Sequence, residues 1–226
     1  MHDLMKNLKR YFREPVNTLT HGIGAVLALV GLILLLQKGI SRGSVNEIIA
    51  FSMFGLSMVL LYTASSLYHA LAVKEKTLEM LRKFDHSMIY VLIAGTYTPI
   101  CLLVLKGEWK WIVFITIWSI AIVGIIKKLL WMNAPRWLST TFYLGMGWFG
   151  VILFPDMVEK LPVAFLIWII AGGFAYTVGA VIYGLKKPNP IPEWFGHHEI
   201  WHLFVLAGTF AHFWAIYEYL PALALQ

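Results

Sequence analysis

The amino-acid sequence predicts an all-α integral membrane protein with seven transmembrane helices. Its 226 residues are 59% hydrophobic and 13% charged, whereas about a quarter of the residues in soluble domains are charged. Aromatic residues make up 15% of the chain, and tryptophan and tyrosine side chains favour the boundary between lipid and water. Seven apolar segments approach the roughly 20 residues that a helix needs to cross the hydrocarbon layer.

The seven segments follow one another without an internal repeat or a long linker, so we predict one membrane domain of residues 1–226. A basic stretch precedes the first segment as in a signal peptide, but no small-residue cleavage site follows, and we expect this segment to be retained. The fourth segment is the shortest, with 16 residues before Lys127. The predicted spans are residues 19–36, 48–71, 87–105, 111–126, 138–154, 162–185 and 198–219.

The basic residues predict how these spans are oriented. Thirteen of the 18 lysines and arginines fall on one side of the membrane when the spans alternate in direction. Because basic residues concentrate on the cytoplasmic side, we expect the N-terminus in the cytoplasm and the C-terminus outside it. The thirteen residues are Lys6, Lys9, Arg10, Arg13, Lys74, Lys76, Arg82, Lys83, Lys127, Lys128, Arg136, Lys186 and Lys187.

The charge pattern and the cysteine content exclude other classes of protein. A net charge of +6 alone would allow nucleic-acid binding, but the basic residues occur in short connections between apolar segments, which is typical of membrane orientation. We therefore expect no nucleic-acid partner. The one cysteine, Cys101, rules out a disulfide within the chain and is expected to pack as a small hydrophobic residue.

Polar residues at the ends of the apolar segments are the candidates for function, because ionisable groups are costly inside a membrane. Alternating spans bring the end of span two and the beginnings of spans three and seven to the cytoplasmic face. His69, Asp85, His198 and His202 are therefore expected at a similar depth, and the last two share one helical face. Three imidazoles with one carboxylate are typical of a catalytic zinc site.

We accordingly predict a zinc ion bound by the three histidines. Asp85 is predicted to be either a further ligand or the group that holds the nucleophilic water. Ser65 lies one turn from His69 and is predicted to orient that ligand or the water. Structural interpretations compete with these roles: Asp85 as an N-cap, Ser65 as a donor to its own helix, and the histidine pair 198 and 202 as solvated side chains of an interfacial turn.

Other patterns also allow more than one interpretation. Residues 198–202 match H-E-x-x-H, the zinc metalloprotease motif, in which Glu199 would be the general base. Remaining polar residues are interpreted as structural, namely Glu14, Asn17 and His21 ahead of span one, and His86, His197 and His212 as hydrogen-bonded anchors. Close helix packing is predicted at Gly145, Gly147, Gly150, Gly172 and Gly173.

The chain resembles the hemolysin III-like proteins of bacteria, which are similar to the progestin and adiponectin receptors and more distantly to alkaline ceramidases. The resemblance extends from end to end of the chain, in the family's order and spacing. It rests on Glu14-x-x-Asn17-x-x-Thr20-His21, Ser65-x-x-x-His69, Lys83-Phe84-Asp85, and His198-x-x-x-His202 followed by His212.

This resemblance implies seven helices with a cytoplasmic N-terminus and a zinc ion on His69, His198 and His202, with Asp85 and Ser65 beside the nucleophilic water. For the receptor and ceramidase branches it also implies a hydrolase acting on lipid amides such as ceramides, whereas the hemolysin branch carries the label of a cytolysin. Compared with the receptors, we expect no long N-terminal domain, and the outer loops are short, so we expect no protein ligand. The sequence has glutamate at position 199 where adiponectin receptors have glutamine, which weakens the metalloprotease interpretation.

The favoured function is therefore a zinc-dependent hydrolase of lipid amide or ester bonds in the cell membrane, with membrane lipid as its partner. Three alternatives remain open: a cytolysin or channel in which zinc is structural, a lipid-sensing protein of the receptor type without turnover, and an intramembrane protease that uses Glu199.

Overall fold

The computed structural model describes residue 8 and residues 11–220, and this part of the chain is helical without named strands. Seven helical segments within it are long and apolar enough to cross a membrane. The predicted fold class, an all-α protein with seven membrane-spanning helices, is confirmed. Lys6, Lys9 and Arg10, which contribute to the predicted orientation, and residues 221–226 lie outside the described residues.

The helices follow the predicted order, with one span divided in two. A 3₁₀ turn at Phe149–Leu153 separates α5 from α6, and the three pieces together form the fifth span, Trp137–Lys160. The helices are α1 Pro15–Ser41, α2 Val45–Ala70, α3 Glu75–Leu103, α4 Gly107–Leu130, α5 Arg136–Trp148, α6 Phe154–Lys160, α7 Val163–Leu185 and α8 His197–Tyr219.

Helix α3 begins well before the predicted span at residue 87. The stretch from Glu75 to Phe84 is charged, but it is rich in the good helix formers Leu, Lys, Glu and Met. A salt bridge of 3.0 Å between Glu79 and Lys83 supports the extra turns. The predicted connection between spans two and three is therefore mostly helix, and Asp85 lies inside α3 rather than at its N-cap.

The fifth span is irregular because of its proline and glycines. Pro155 cannot donate a backbone hydrogen bond, and it lies in the first turn of α6, directly after the 3₁₀ turn. Close packing was predicted for Gly145 and Gly147, but a Cβ atom at either would meet nothing within 4 Å, and the same is true of Gly173. The close-packing prediction is wrong at these three positions.

The remaining helices pack more tightly. Extensive contacts join α1 to α2, α2 to α3, and α7 to α8, and α4 lies against α3. Phe51, Phe54, Tyr90 and Ile117 are fully buried in the core. The fifth span contacts mainly α7 and only lightly α3 and α4. Loose packing here leaves a cavity between α3, the fifth span, α7 and α8.

Candidate metal centre

Three histidines from two distant helices meet at one end of the bundle. One ring nitrogen of each of His69, His198 and His202 lies within 4.8 Å of the others, and the three could hold a metal ion. Their ring centroids are 4.9 to 5.0 Å apart. His69 and His202 are buried, with 1% and 2% of their surface exposed. Imidazole ligands suit several transition metals, zinc among them.

The local structure explains how these side chains converge. His198 and His202 are four residues apart near the start of α8 and therefore share a face. His69 lies at the end of α2. The last carbonyls of α2 accept hydrogen bonds from the chain just before α1: the Glu14 amide donates to the His69 carbonyl at 3.0 Å, and Arg13 donates to the carbonyls of Tyr68 and Ala70. This capping fixes the end of the helix that presents His69.

Glu14 also determines which nitrogen of His69 faces the centre. Nδ1 of His69 lies 2.6 Å from Oε2 of Glu14. Burial raises the pKa of the Glu14 carboxyl, but the hydrogen bond from His69 and the nearby positive charge outweigh it, so the net pKa is lowered. A carboxylate can only accept, so Nδ1 of His69 is the donor. Its Nε2 is buried without a hydrogen-bond partner, which fits a metal ligand.

Asn17 and Glu199 connect the start of α1 to the start of α8. Nδ2 of Asn17 donates to Oε2 of Glu14 at 3.0 Å and to Oε1 of Glu199 at 2.8 Å. The other oxygen of Glu199 accepts the backbone N–H of Gly196 at 2.8 Å, as in a capping box. Both oxygens of Glu199 are thus engaged in holding helix ends together.

His21 and Thr20 lie behind His202. The rings of His21 and His202 are stacked, with centroids 3.6 Å apart and planes 11° from parallel. Tyr62 meets the His21 ring edge-on at 5.0 Å. Oγ1 of Thr20 lies 3.4 Å from Nδ1 of His202. The second ligand therefore also has a partner on α1 that restricts its orientation.

Asp85 and Ser65 lie together beside the histidines. Asp85 is 8% exposed and is within reach of the Ser65 hydroxyl and of His69. Ser65, one turn before His69 on α2, is also buried. The five residues singled out in the sequence, Ser65, His69, Asp85, His198 and His202, all line one cavity.

This cavity has a volume of about 1030 Å³ and extends from the histidines into the bundle. Its deeper walls are largely apolar, with Leu92, Ile93, Ile100, Leu153 and Val205 among the lining residues. Side chains of the fifth span and α7 line it and are also exposed on the outer surface, namely Trp148, Val151, Phe154, Ile170 and Phe174. The cavity therefore opens sideways between these two spans, towards the surrounding lipid.

Besides His21, three further histidines in the described part of the chain lie outside the cluster. His197 bonds to Oδ1 of Asn189 through its amide and its ring. His212 is buried, and its Nδ1 bonds to the carbonyl of Gly208 on its own helix at 2.8 Å. His86 lines the cavity near Asp85 but is not part of the three-histidine group.

Sequence reasoning treated Glu14, Asn17 and His21 as structural and missed their contacts with the ligands. The available signal was their position. Glu14 directly precedes α1, and Asn17 and His21 lie in its first turns, at the end of the bundle where span two ends and span seven begins, so these residues were bound to lie near His69 and His198.

The fold and the site define a multi-pass helical membrane protein with a three-histidine centre able to hold a metal ion. A sequence model of the Haemolysin-III related proteins matches residues 9–213. The chain belongs to this family.

Named relatives cover nearly the whole chain. This chain is 41% identical over 206 residues to the hemolysin-3 homolog of Bacillus subtilis (strain 168). The alignment covers 91% of this chain and 93% of the relative. This chain is 36% identical over 220 residues to hemolysin-3 of Bacillus cereus, with 97% of each chain covered. It is also 29% identical over 217 residues to the human (Homo sapiens) monocyte to macrophage differentiation factor, covering 92% of this chain and 85% of that protein.

Proposed function

We propose that this protein is a zinc-dependent hydrolase of lipid amide or ester bonds, held within the membrane. The observation that supports it is the position of the Asp85–Ser65 pair next to the three-histidine cluster, in a cavity that opens towards lipid. A metal with three protein ligands keeps a coordination position for water or substrate, as catalytic zinc sites do.

The ligand set has the properties that zinc requires. His69, His198 and His202 would hold the ion, and the hydrogen bond from His69 to Glu14 would keep that ring in the correct orientation. When bound, zinc lowers the pKa of a water molecule to about 7 and polarises an acyl carbonyl.

Asp85 is the proposed general base. Its carboxylate would accept the proton of the attacking water and return it to the leaving nitrogen or oxygen. The Ser65 hydroxyl lies within reach of Asp85 and would fix the direction in which that carboxylate faces. Both residues are buried, so bulk water competes little for the interaction between them.

The shape of the cavity supports a lipid substrate. Apolar walls deeper in the bundle suit an acyl chain, and the side of the cavity between the fifth span and α7 faces the region where lipid chains would lie. A lipid could therefore reach the centre from the bilayer without crossing water.

The names of the bacterial relatives support a second candidate, a membrane-lysing protein in which the metal is structural. In that case the cluster would only link α2 to α8, and Asp85 would have no chemical role. A lipid-sensing protein without turnover would also retain the metal without needing Asp85.

Metal content and turnover test the proposal together. Purified wild-type protein is expected to contain about one zinc per chain, His202→Ala little or none, and His197→Ala the wild-type amount. His197 is the matched control because it lies on the same helix but outside the cluster. A wild-type protein without zinc after purification in zinc-containing buffer would contradict the proposal.

Turnover is measured on ceramides and on ester lipids of the same acyl length. Asp85→Asn is expected to retain zinc and to lose at least about 100-fold in kcat, since general acid–base catalysis contributes 10²- to 10⁴-fold. Cell lysis that survives Asp85→Asn at the wild-type level, with no hydrolysis by either protein, would favour the lytic candidate instead.

A further inference from the structure

Two cations line the cavity near the metal centre, and the proposed hydrolysis does not use them. Lys128, near the end of α4, is 4% exposed, and its Nζ donates to Oγ of Ser139 at 2.9 Å. Arg82, on α3, donates from Nη2 to Oδ1 of Asn133 at 3.0 Å. All four side chains line the same cavity as the histidines.

Within the described residues, neither cation takes part in a salt bridge. Lys128 is within electrostatic reach of two residues of the same charge, Lys127 and Arg82, and of one carboxylate, Asp85. That carboxylate also interacts with Ser65 and His69. Buried Lys128 therefore has fewer acidic than cationic neighbours, in a place where uncompensated charge is costly.

Two hydrogen-bond donors at this end of the cavity also lack partners. Nε of Arg82 and Oγ1 of Thr140 are both buried without a hydrogen-bond partner. Thr140 is 9% exposed and comes from α5, across the cavity from α3. A guanidinium group, an ammonium group and a hydroxyl group around one space are the donors that bind phosphate oxygens.

We propose that Arg82, Lys128 and Thr140 form a binding site for the phosphate group of an anionic lipid. This inference rests on the proposed hydrolase function and names its substrate class, lipid amides or esters with a phosphate in the head group. Arg82 precedes Asp85 by three residues of α3, about 4.5 Å along the helix axis. A phosphate bound there would hold the adjoining amide or ester near the metal centre.

A lipid fits this site better than free phosphate does. The cavity continues from the basic end into apolar walls and opens sideways between the fifth span and α7. Free phosphate would occupy only the basic end, whereas a lipid would fill both parts of the space.

Equilibrium binding to the purified, zinc-loaded, full-length protein tests this inference with two pairs of probes. Phosphatidic acid is compared with diacylglycerol of the same chains, and ceramide 1-phosphate with ceramide. Each phosphorylated lipid is expected to bind at least about tenfold more tightly than its neutral counterpart, because charge-assisted hydrogen bonds are about twice as strong as neutral ones.

The variants Lys128→Met and Arg82→Gln are each expected to weaken binding of phosphatidic acid by about tenfold and to leave diacylglycerol binding unchanged. Thr140→Val, which keeps the side-chain shape, should weaken phosphatidic acid binding by about threefold. Lys110→Met on α4 and Lys76→Gln on α3 are the matched controls, because they remove the same charge away from the cavity. Zinc content of each preparation verifies that it is folded.

Equal binding of the phosphorylated and neutral lipids, or wild-type binding by all three cavity variants, would overturn the inference. Inorganic phosphate that binds as tightly as phosphatidic acid would also overturn it, since the ligand would then be a soluble anion. Binding is measured in the Asp85→Asn background, which is expected to retain zinc without hydrolysing the lipids. Loss of phosphate selectivity thus contradicts only this inference, whereas failure to hydrolyse any lipid contradicts only the hydrolase.

Discussion

The Nδ1 atom of His69 donates a hydrogen bond of 2.6 Å to the carboxylate of Glu14, a residue 55 positions earlier in the chain. This contact orients the first metal-binding imidazole and leaves its Nε2 directed away from Glu14, buried and without a partner. Carboxylate partners of this kind raise the basicity of a ligating imidazole, and their loss typically weakens metal binding by 10- to 100-fold.

Glu14→Ala is therefore expected to weaken zinc binding by about 10- to 100-fold, and Glu14→Gln by less, because an amide oxygen still accepts the Nδ1–H bond. Competition with a chromophoric chelator measures the affinity. Glu108→Ala, an exposed glutamate at the start of α4, is the control and should bind as the wild type does. Wild-type affinity in Glu14→Ala would exclude an orienting role for this carboxylate.

Removal of the metal should destabilise the protein, because the ligands join α2 to α8. A ligand present at about 1,000 times its Kd stabilises the native state by about 4 kcal/mol. Adding a strong chelator is expected to lower the thermal midpoint of the wild-type protein and of His197→Ala, and to leave that of His202→Ala unchanged. Equal chelator effects on all three proteins would indicate that the cluster does not hold the metal.

One property of the sequence was sufficient to predict both the fold class and the three-histidine cluster, namely its series of apolar segments. Apolar segments of membrane length are recognisable from composition, and their alternating direction brings the end of span two and the start of span seven together. Helical periodicity then pairs His198 with His202. These predictions need only local patterns and the count of the spans.

The network around the ligands could not be predicted in this way. Asn17 and Glu199 are 182 positions apart and meet only because α1 and α8 pack side by side. The H-E-x-x-H pattern around Glu199 gave no sign of that contact. The break in the fifth span and the cavity beside it depend on packing between helices, and sequence periodicity carries no information about such packing.

Replacement of Glu199 separates a structural role from a chemical one. Because its two oxygens bond to Asn17 and Gly196, Glu199→Gln is expected to cost about 0.5–1 kcal/mol of unfolding free energy. Zinc content and kcat should stay within about twofold of the wild-type values, since the isosteric amide retains one acceptor. A loss of turnover with zinc still bound would instead support Glu199 as the general base of a metalloprotease.

The sideways opening of the cavity provides a test of how substrate arrives. Gly173 on α7 lines the cavity, and a Cβ atom at this position would meet nothing within 4 Å, so a large side chain can enter the open space without a clash at its base. Gly184 lies on the same helix with equally open surroundings but does not line the cavity, which makes it a matched control.

Gly173→Phe is expected to lower kcat/KM for lipids with long acyl chains by at least about tenfold, equivalent to about 1.4 kcal/mol, while zinc content and the thermal midpoint stay near wild type. Short-chain substrates should be affected less, because they need less of the blocked volume. Gly184→Phe should have the wild-type kcat/KM for both long-chain and short-chain substrates. If Gly173→Phe hydrolyses long-chain lipids at the wild-type rate, the acyl chain does not pass between the fifth span and α7. The substrate must then reach the three histidines from the end of the bundle at which these histidines lie.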